Sequence, residues 1–252
     1  LTSDLRSLPI EVVFARGVRV AEAGQMLAPC PHYNWPQSAR DTVRLGKVLD
    51  ADDFSISAPA GANAVRAKVI GVVENQAPTK ALTFELPVTD HRVQATGEVC
   101  QIALVERHRA TGNVSNGFVS GFGYEGSMAI ASTVAHDSHH MIVVGTDRAM
   151  MAAAANRLGD VGGGVTVWKD GKELALVELP IAGLMSDSPA AEVADKAQAM
   201  VEAMEACGCT LNNAYMQHSL LALVVIPELR ISDLGLVDVL KFEMTDVLES
   251  NR

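Results

Sequence analysis

Apolar positions along this chain come in short runs, and their spacing shifts between two and three-or-four from one segment to the next. Residues 65–73 and 80–88 alternate apolar with polar positions around a turn at 75–79, which predicts two half-buried strands. Residues 100–108 predict a third strand, apolar through its middle and polar at its Glu106-Arg107-His108 end. Residues 111–113 turn the chain, and the glycine-rich stretch 116–126 reads as a lead into the next strand. Two runs rich in β-branched residues, 129–135 and 141–145, predict buried strands. Thr146-Asp147 can then cap a helix from Arg148 to about Leu158. The triple glycine at 162–164 follows a helix instead of opening one, so it reads as helix termination and not as a phosphate cradle. Residues 165–168 and 173–179 flank an Asp170-Gly171 hairpin turn. Ser188-Pro189 opens a second helix reaching about Ala206, with Ala190, Val193, Ala197, Met200, Val201 and Met204 on one apolar face. Residues 219–225 predict a last apolar strand or helix, 227–239 a loop with polar anchors, and a short acidic tail follows.

Ahead of this pattern, residues 10–25 read as a β-hairpin with turn glycines at Gly17 and Gly24. A lone hairpin is not stable and needs a further sheet. Pro29, Pro31, Pro36 and Pro59 break regular structure through 29–62, which reads as a connector. The expected organisation is residues 1–28, a connector at 29–62, and a β-rich domain at 63–252. The fold class is mixed α/β (α+β), with two main helices.

Composition narrows what such a domain can bind. Hydrophobic residues make up 48% of the 252 residues but aromatics only 4%, so the core is built from Ala, Val, Leu, Ile and Met. The formal charge of −10 argues against nucleic acid or an anionic membrane surface as main partner, since both need a basic face. No apolar run approaches the roughly 20 residues of a membrane span, and no signal peptide is visible. Cys30, Cys100, Cys207 and Cys209 form neither a disulfide framework nor a C-x-x-C site, so free thiols in a cytoplasmic chain are expected. The chain opens on Leu1, as a piece of a longer protein would.

The sharpest chemistry lies between the runs at 129–135 and 141–145. His136, Asp137, Ser138, His139 and His140 stand where Gly, Asn or Pro usually join buried strands. These side chains bind metals, carry protons or hold polar ligands. The His136-Asp137-x-His139 spacing suits imidazoles around one metal with carboxylate support, or a small polar ligand, or a buried polar turn that satisfies strand-end backbone groups. On an extended backbone His136, Ser138 and His140 would point one way and Asp137 with His139 the other. Ser138 lacks a G-x-S-x-G elbow, and neighbours in sequence do not meet easily in triad geometry. Glu106 and His108 are further candidates because a charged strand end beside a core is a common place for a site; a solvated end is the alternative. His32 reads as a surface or packing residue. The H-x-E…P-C-x-x-C signature of zinc deaminases is missing, as is an H-x-H pair.

Several long motifs, in order, resemble one family. Val119-Ser120-Gly121-Phe122-Gly123, Ile130-Ala131-Ser132-Thr133-Val134-Ala135-His136-Asp137-Ser138-His139 and Ile142-Val143-Val144-Gly145-Thr146 resemble the C-terminal domain of bacterial adenine deaminases. So do Glu106-Arg107-His108 with Thr111-Gly112, Pro180-Ile181-Ala182-Gly183-Leu184-Met185-Ser186-Asp187, and Val225-Ile226-Pro227-Glu228-Leu229-Arg230. The likeness spans roughly residues 65–245, and the opening hairpin resembles the strands that complete the small β-sandwich of amidohydrolases. The resemblance implies a parent enzyme that converts adenine and water to hypoxanthine and ammonia in purine salvage. It also implies a divalent metal, manganese or iron, held in a (β/α)8 barrel outside this chain, so no metal ligand is assigned here. Expected partners are that barrel, adenine as the parent's substrate, and a second copy in a dimer. The segment's own role is expected to be closing the active site, with a purely structural or dimerising module and an independent metal-binding module as alternatives.

Overall fold

A computed structural model describes residues 1–29 and 33–249. Cys30, Pro31 and His32, with the expectations made for them, lie outside the described residues. The chain divides into two compact units, Leu1–Pro36 and Gln37–Arg252.

The first unit is a three-stranded antiparallel sheet of β1 (Val12–Ala15), β2 (Val18–Glu22) and β3 (Gln25–Met26). Both connections are two-residue turns, Arg16-Gly17 and Ala23-Gly24, in which both residues have positive φ. That geometry matches the twist of the strands it joins. The glycines foresee the turns, and the second turn adds a short third strand to the expected hairpin.

The second unit begins at a short helix, α1 (Gln37–Arg40), inside the segment read as a connector. Leu49 and Phe54, from 42–54, are buried in the main core, which is why this stretch belongs to the larger unit. The remaining strands are β4 (Ala64–Gly71), β5 (Lys80–Thr89), β6 (Arg92–Val93), β7 (Val99–Val105), β8 (Val114–Ser120), β9 (Met128–Ser132), β10 (Met141–Gly145), β11 (Gly164–Lys169) and β12 (Lys172–Glu178). They form one sheet in the order β12-β11-β9-β10-β7-β8-β4-β5-β6. Neighbours are antiparallel except β4 and β8.

The central strands are buried on both faces, so their side chains alternate between two apolar layers. Ile102, Leu104, Ile130, Ile142 and Val144 enter one layer. Ala103, Val105, Ala129, Ala131, Met141 and Val143 enter the other. The second layer is half alanine and lies under α2 (Arg148–Asp160), whose Ala152, Ala154 and Ala155 meet it. Small residues on both sides let helix and sheet approach closely, and this is how a core with few aromatics fills its volume. Asp147 caps α2 as expected, accepting from Ala149 N at 2.8 Å and Met150 N at 3.2 Å.

The opposite face is covered by α3 (Ala190–Ala206), α4 (Ala214–Leu220) and a small sheet of β13 (Leu229–Ser232), β14 (Gly235–Asp238) and β15 (Glu243–Thr245). In α3 the buried residues are Met200, Ala203 and Met204, while Val201 is exposed, so the apolar face is narrower than its spacing suggested. Two strands lie in segments not read as strands, the glycine-rich lead at 116–126 and the loop at 227–239. In β8, the polar Ser115 and Asn116 donate to the carbonyls of Asp233 and Asp53, which removes the cost of placing them in a sheet. In β13, the charge that suggested solvent is Arg230, which is fully buried and donates to the carbonyls of Ile226 at 2.8 Å, Leu220 at 3.0 Å and Ala77.

Candidate functional site at the histidine turn

Register brings the two candidate segments together. Met141 of β10 pairs with Val105 of β7, so His140, just before β10, stands beside Glu106, just after β7. The polar end of one strand and the polar start of the other then stand side by side at one end of the central strands.

The 133–140 connection is a tight turn and not an extended segment. His139 has φ +51°, and its N–H donates to Ala135 O at 2.7 Å. This bend replaces the alternating arrangement expected on an extended backbone. The rings of His136 and His139 now lie 5.2 Å apart, and those of His108 and His140 lie 4.6 Å apart. Asp137 and Ser138 are exposed at the tip, and His108 is exposed beside them. The His136 N–H donates to Ser219 O of α4 at 3.0 Å, which anchors the turn to the helical face.

Two buried charges lie behind this turn, Glu106 fixing the 108–111 loop beside it and Arg107 the turn itself. Glu106 accepts four hydrogen bonds, from the backbone N–H of His108 (2.5 Å), Arg109 (2.8 Å) and Thr111 (3.0 Å) and from the Thr111 hydroxyl (3.0 Å). Burial alone would raise its pKa, but these donors bring it down to about 2. Arg107 is 1% exposed and donates to three carbonyls, His139 at 2.5 Å, Ala182 at 3.2 Å and Thr42 at 3.3 Å. Burial lowers its pKa to about 10, so it stays charged at neutral pH. Arg107 was legible only as part of a charged strand end, since its partners lie in three separate segments.

Hydrogen bonding assigns tautomers to two of the imidazoles. His139 Nδ1 accepts from Ala135 N–H at 3.3 Å, and burial, aided by His136 and Arg107, lowers its pKa. It is therefore a neutral ring with its proton on Nε2. His108 Nε2 lies 2.8 Å from Ser138 O, so it carries the proton there. His140 is buried with its Nε2 3.5 Å from Asp233 and its Nδ1 3.9 Å from Glu106. Burial dominates its lowered pKa, opposed by Asp233, so it too is neutral at pH 7. Sequence reasoning included His140 in the polar cluster but passed over its partner Asp233. Asp233 sits in the β13–β14 turn, in a stretch read as a loop, and only the fold brings it here.

The set does not fit a metal ion. Among the described residues no three His, Cys, Asp or Glu side chains are placed to hold one. Two of the ring nitrogens here are already committed to backbone groups. Nor is Ser138 activated, since its hydroxyl makes no hydrogen bond to an imidazole among the described residues, while its carbonyl accepts from His108. The arrangement is a partly exposed rim of imidazoles, with His140 buried behind it, that presents ring nitrogens for hydrogen bonding.

Residues 76–243 match the model of the adenine deaminase C-terminal domain. The chain belongs to this family. The adenine deaminase of Roseobacter denitrificans is 76% identical over 250 residues, covering 99% of this chain and 42% of that protein. That of Ruegeria pomeroyi is 75% identical over 252 residues, again 42% of its length. The adenine deaminase of Moorella thermoacetica is 42% identical over 247 residues, 97% of this chain and 41% of that protein. The chain thus spans about 42% of the length of these adenine deaminases and matches their C-terminal part. The mixed, strand-rich fold without a barrel agrees with the expectation for this portion of the family. Among the described residues no helix is long and apolar enough to cross a membrane.

Proposed function

We propose that this chain is the C-terminal portion of a cytoplasmic adenine deaminase, that it packs on the enzyme's catalytic barrel, and that the histidine turn closes over the active site. Family membership carries this reading. The parent reaction is attack of water at purine C6, giving hypoxanthine and ammonia. A divalent metal, manganese or iron, supplies the activated water when bound to ligands outside this chain. The residues described here serve the substrate instead. The neutral His139 offers an Nε2–H donor suited to a purine ring nitrogen, with His136 beside it. Closure of the Asp137–Ser138 tip over the base would keep bulk water from the reacting carbon. Arg107 supports the role by holding the turn and Glu106 by holding the neighbouring 108–111 loop, since a rim that positions a substrate must not drift.

The test uses the intact enzyme. His136→Ala and His139→Ala, made separately, are expected to lower kcat/KM for adenine by about tenfold or more, that is, by about 1.4 kcal/mol of transition-state stabilisation. Both are expected to keep the wild-type melting temperature, because the turn is held by Arg107 and by backbone hydrogen bonds. Unchanged kinetics in both variants would remove the closure role.

A docking or dimerising role is favoured by one observation of its own. Leu234, Leu240 and Phe242 on the small β13–β15 sheet are 78%, 67% and 81% exposed. If docking is the main role, Phe242→Ser shifts the native mass of the intact protein to monomer, and the histidine variants lose stability before turnover.

A further inference from the structure

The tip of the histidine turn is held by very few bonds. Asp137 and Ser138 are its exposed residues, and among the described residues Asp137 makes no hydrogen bond. Ser138 makes one, through its carbonyl, which lies 2.8 Å from His108 Nε2. The next bonds lie at the flanks of the tip. His136 N–H donates to Ser219 O on one side, and His139 N–H donates to Ala135 O on the other. The tip therefore depends on the His108 contact more than on any bond within the turn.

His108 comes from 30 residues earlier in the chain and stands on a fixed base. Its backbone N–H donates to Glu106 at 2.5 Å, and Glu106 also takes the N–H groups of Arg109 and Thr111. Its exposed ring rests on that of His140, with centres 4.6 Å apart. His140 is 8% exposed and is itself set between two carboxylates, Asp233 at 3.5 Å and Glu106 at 3.9 Å. The end of β7, the start of β10 and the β13–β14 turn thus converge behind one exposed imidazole. A segment that must open to admit a substrate and close over it needs a bond that breaks and re-forms at little cost. A single exposed hydrogen bond has that property, and a buried network does not.

We propose that His108 is a positioning residue whose Nε2–H latches the Ser138 carbonyl and so holds the Asp137–Ser138 tip in place, with His140 and Asp233 bracing its ring. The inference rests on the closure reading above and adds the group that governs how readily the tip opens.

The experiment uses the intact enzyme and two readouts, amide hydrogen exchange across residues 135–140 and the separate kcat and KM for adenine. His108→Ala is expected to speed that exchange about threefold to tenfold, which is what one net hydrogen bond is worth. KM should rise by a similar factor with kcat nearly unchanged, because a looser tip weakens the closed complex without touching the chemistry. His108→Gln carries an amide nitrogen that reaches the place of the ring Nε2, so it should bring both readouts back towards wild type. The latch is overturned if exchange across 135–140 stays at the wild-type rate in His108→Ala, or if His108→Gln fails to slow it again. Faster exchange with unchanged turnover keeps the latch and removes the closure role. Lower turnover in the His136 and His139 variants, with exchange unmoved in His108→Ala, keeps closure and removes the latch.

Discussion

His218 is fully enclosed, meets Phe122 edge-on with ring centres 6.3 Å apart, and has no partner for either ring nitrogen among the described residues. Burial pulls its pKa from 6.5 to about 3. The unfolded chain takes up this proton near pH 6.5 and the folded one does not, so stability present above pH 6.5 is lost as pH falls towards 3. Glu106 acts in the same direction over a lower window, with stability present above pH 4.5 and lost towards pH 2. His218→Leu is expected to hold or gain stability at pH 7 and to unfold at lower pH than wild type, as read by urea denaturation at pH 7 and pH 5. Glu106→Gln should do the reverse, costing about 2–3 kcal/mol at pH 7 because four donors lose a charged acceptor. At this scale the sequence was partly legible. His136, Asp137 and His139 announced themselves by crowding into a strand connection. Which nitrogen of each ring is committed, and that Glu106 serves His108, Arg109 and Thr111, depends on how the chain bends, and no local pattern carries that.

Elements were legible where local chemistry sets them. Asp147 was readable as a cap because an acidic residue ahead of a helix-forming run satisfies its first N–H groups, and Asp147→Ala should cost about 1 kcal/mol in chemical denaturation. The triple glycine also kept its assignment, for a stronger reason than helix termination alone. Gly164 opens β11 at φ +149°, where an added Cβ would stand 2.2 Å from Val177 O. Gly164→Ala is therefore expected to separate β11 from β12 at that end and cost more than about 2 kcal/mol, seen as faster amide exchange across Val165–Val177. Among the elements that escaped the sequence, β8 carries the polar Ser115 and Asn116 and β13 the charged Arg230. Their hydrogen bonds go to distant carbonyls, so tertiary pairing overrides a weak local preference.

For the whole molecule, the exposed apolar side chains of the small sheet and the histidine turn present two separate surfaces. The histidine turn depends on Arg107, which joins Thr42, His139 and Ala182. Arg107→Lys keeps the charge but offers a single point of donation in place of a planar fork. It should lose about 3 kcal/mol and speed proteolysis within residues 134–140, with adenine turnover falling in step.

Arg230 makes the same kind of junction, and together the two arginines say something about how the protein is made. A ribosome releases the chain from one end. Arg107 emerges 75 residues ahead of Ala182, and Ala77 emerges 153 residues ahead of Arg230. Until those later residues arrive, closing the sheet would strand a guanidinium or a carbonyl in the interior, so the growing chain gains little by closing early. The half-synthesised domain is therefore the form that chaperones and proteases meet, and a nonsense codon anywhere before Leu229 yields a chain that is cleared instead of a shorter working one.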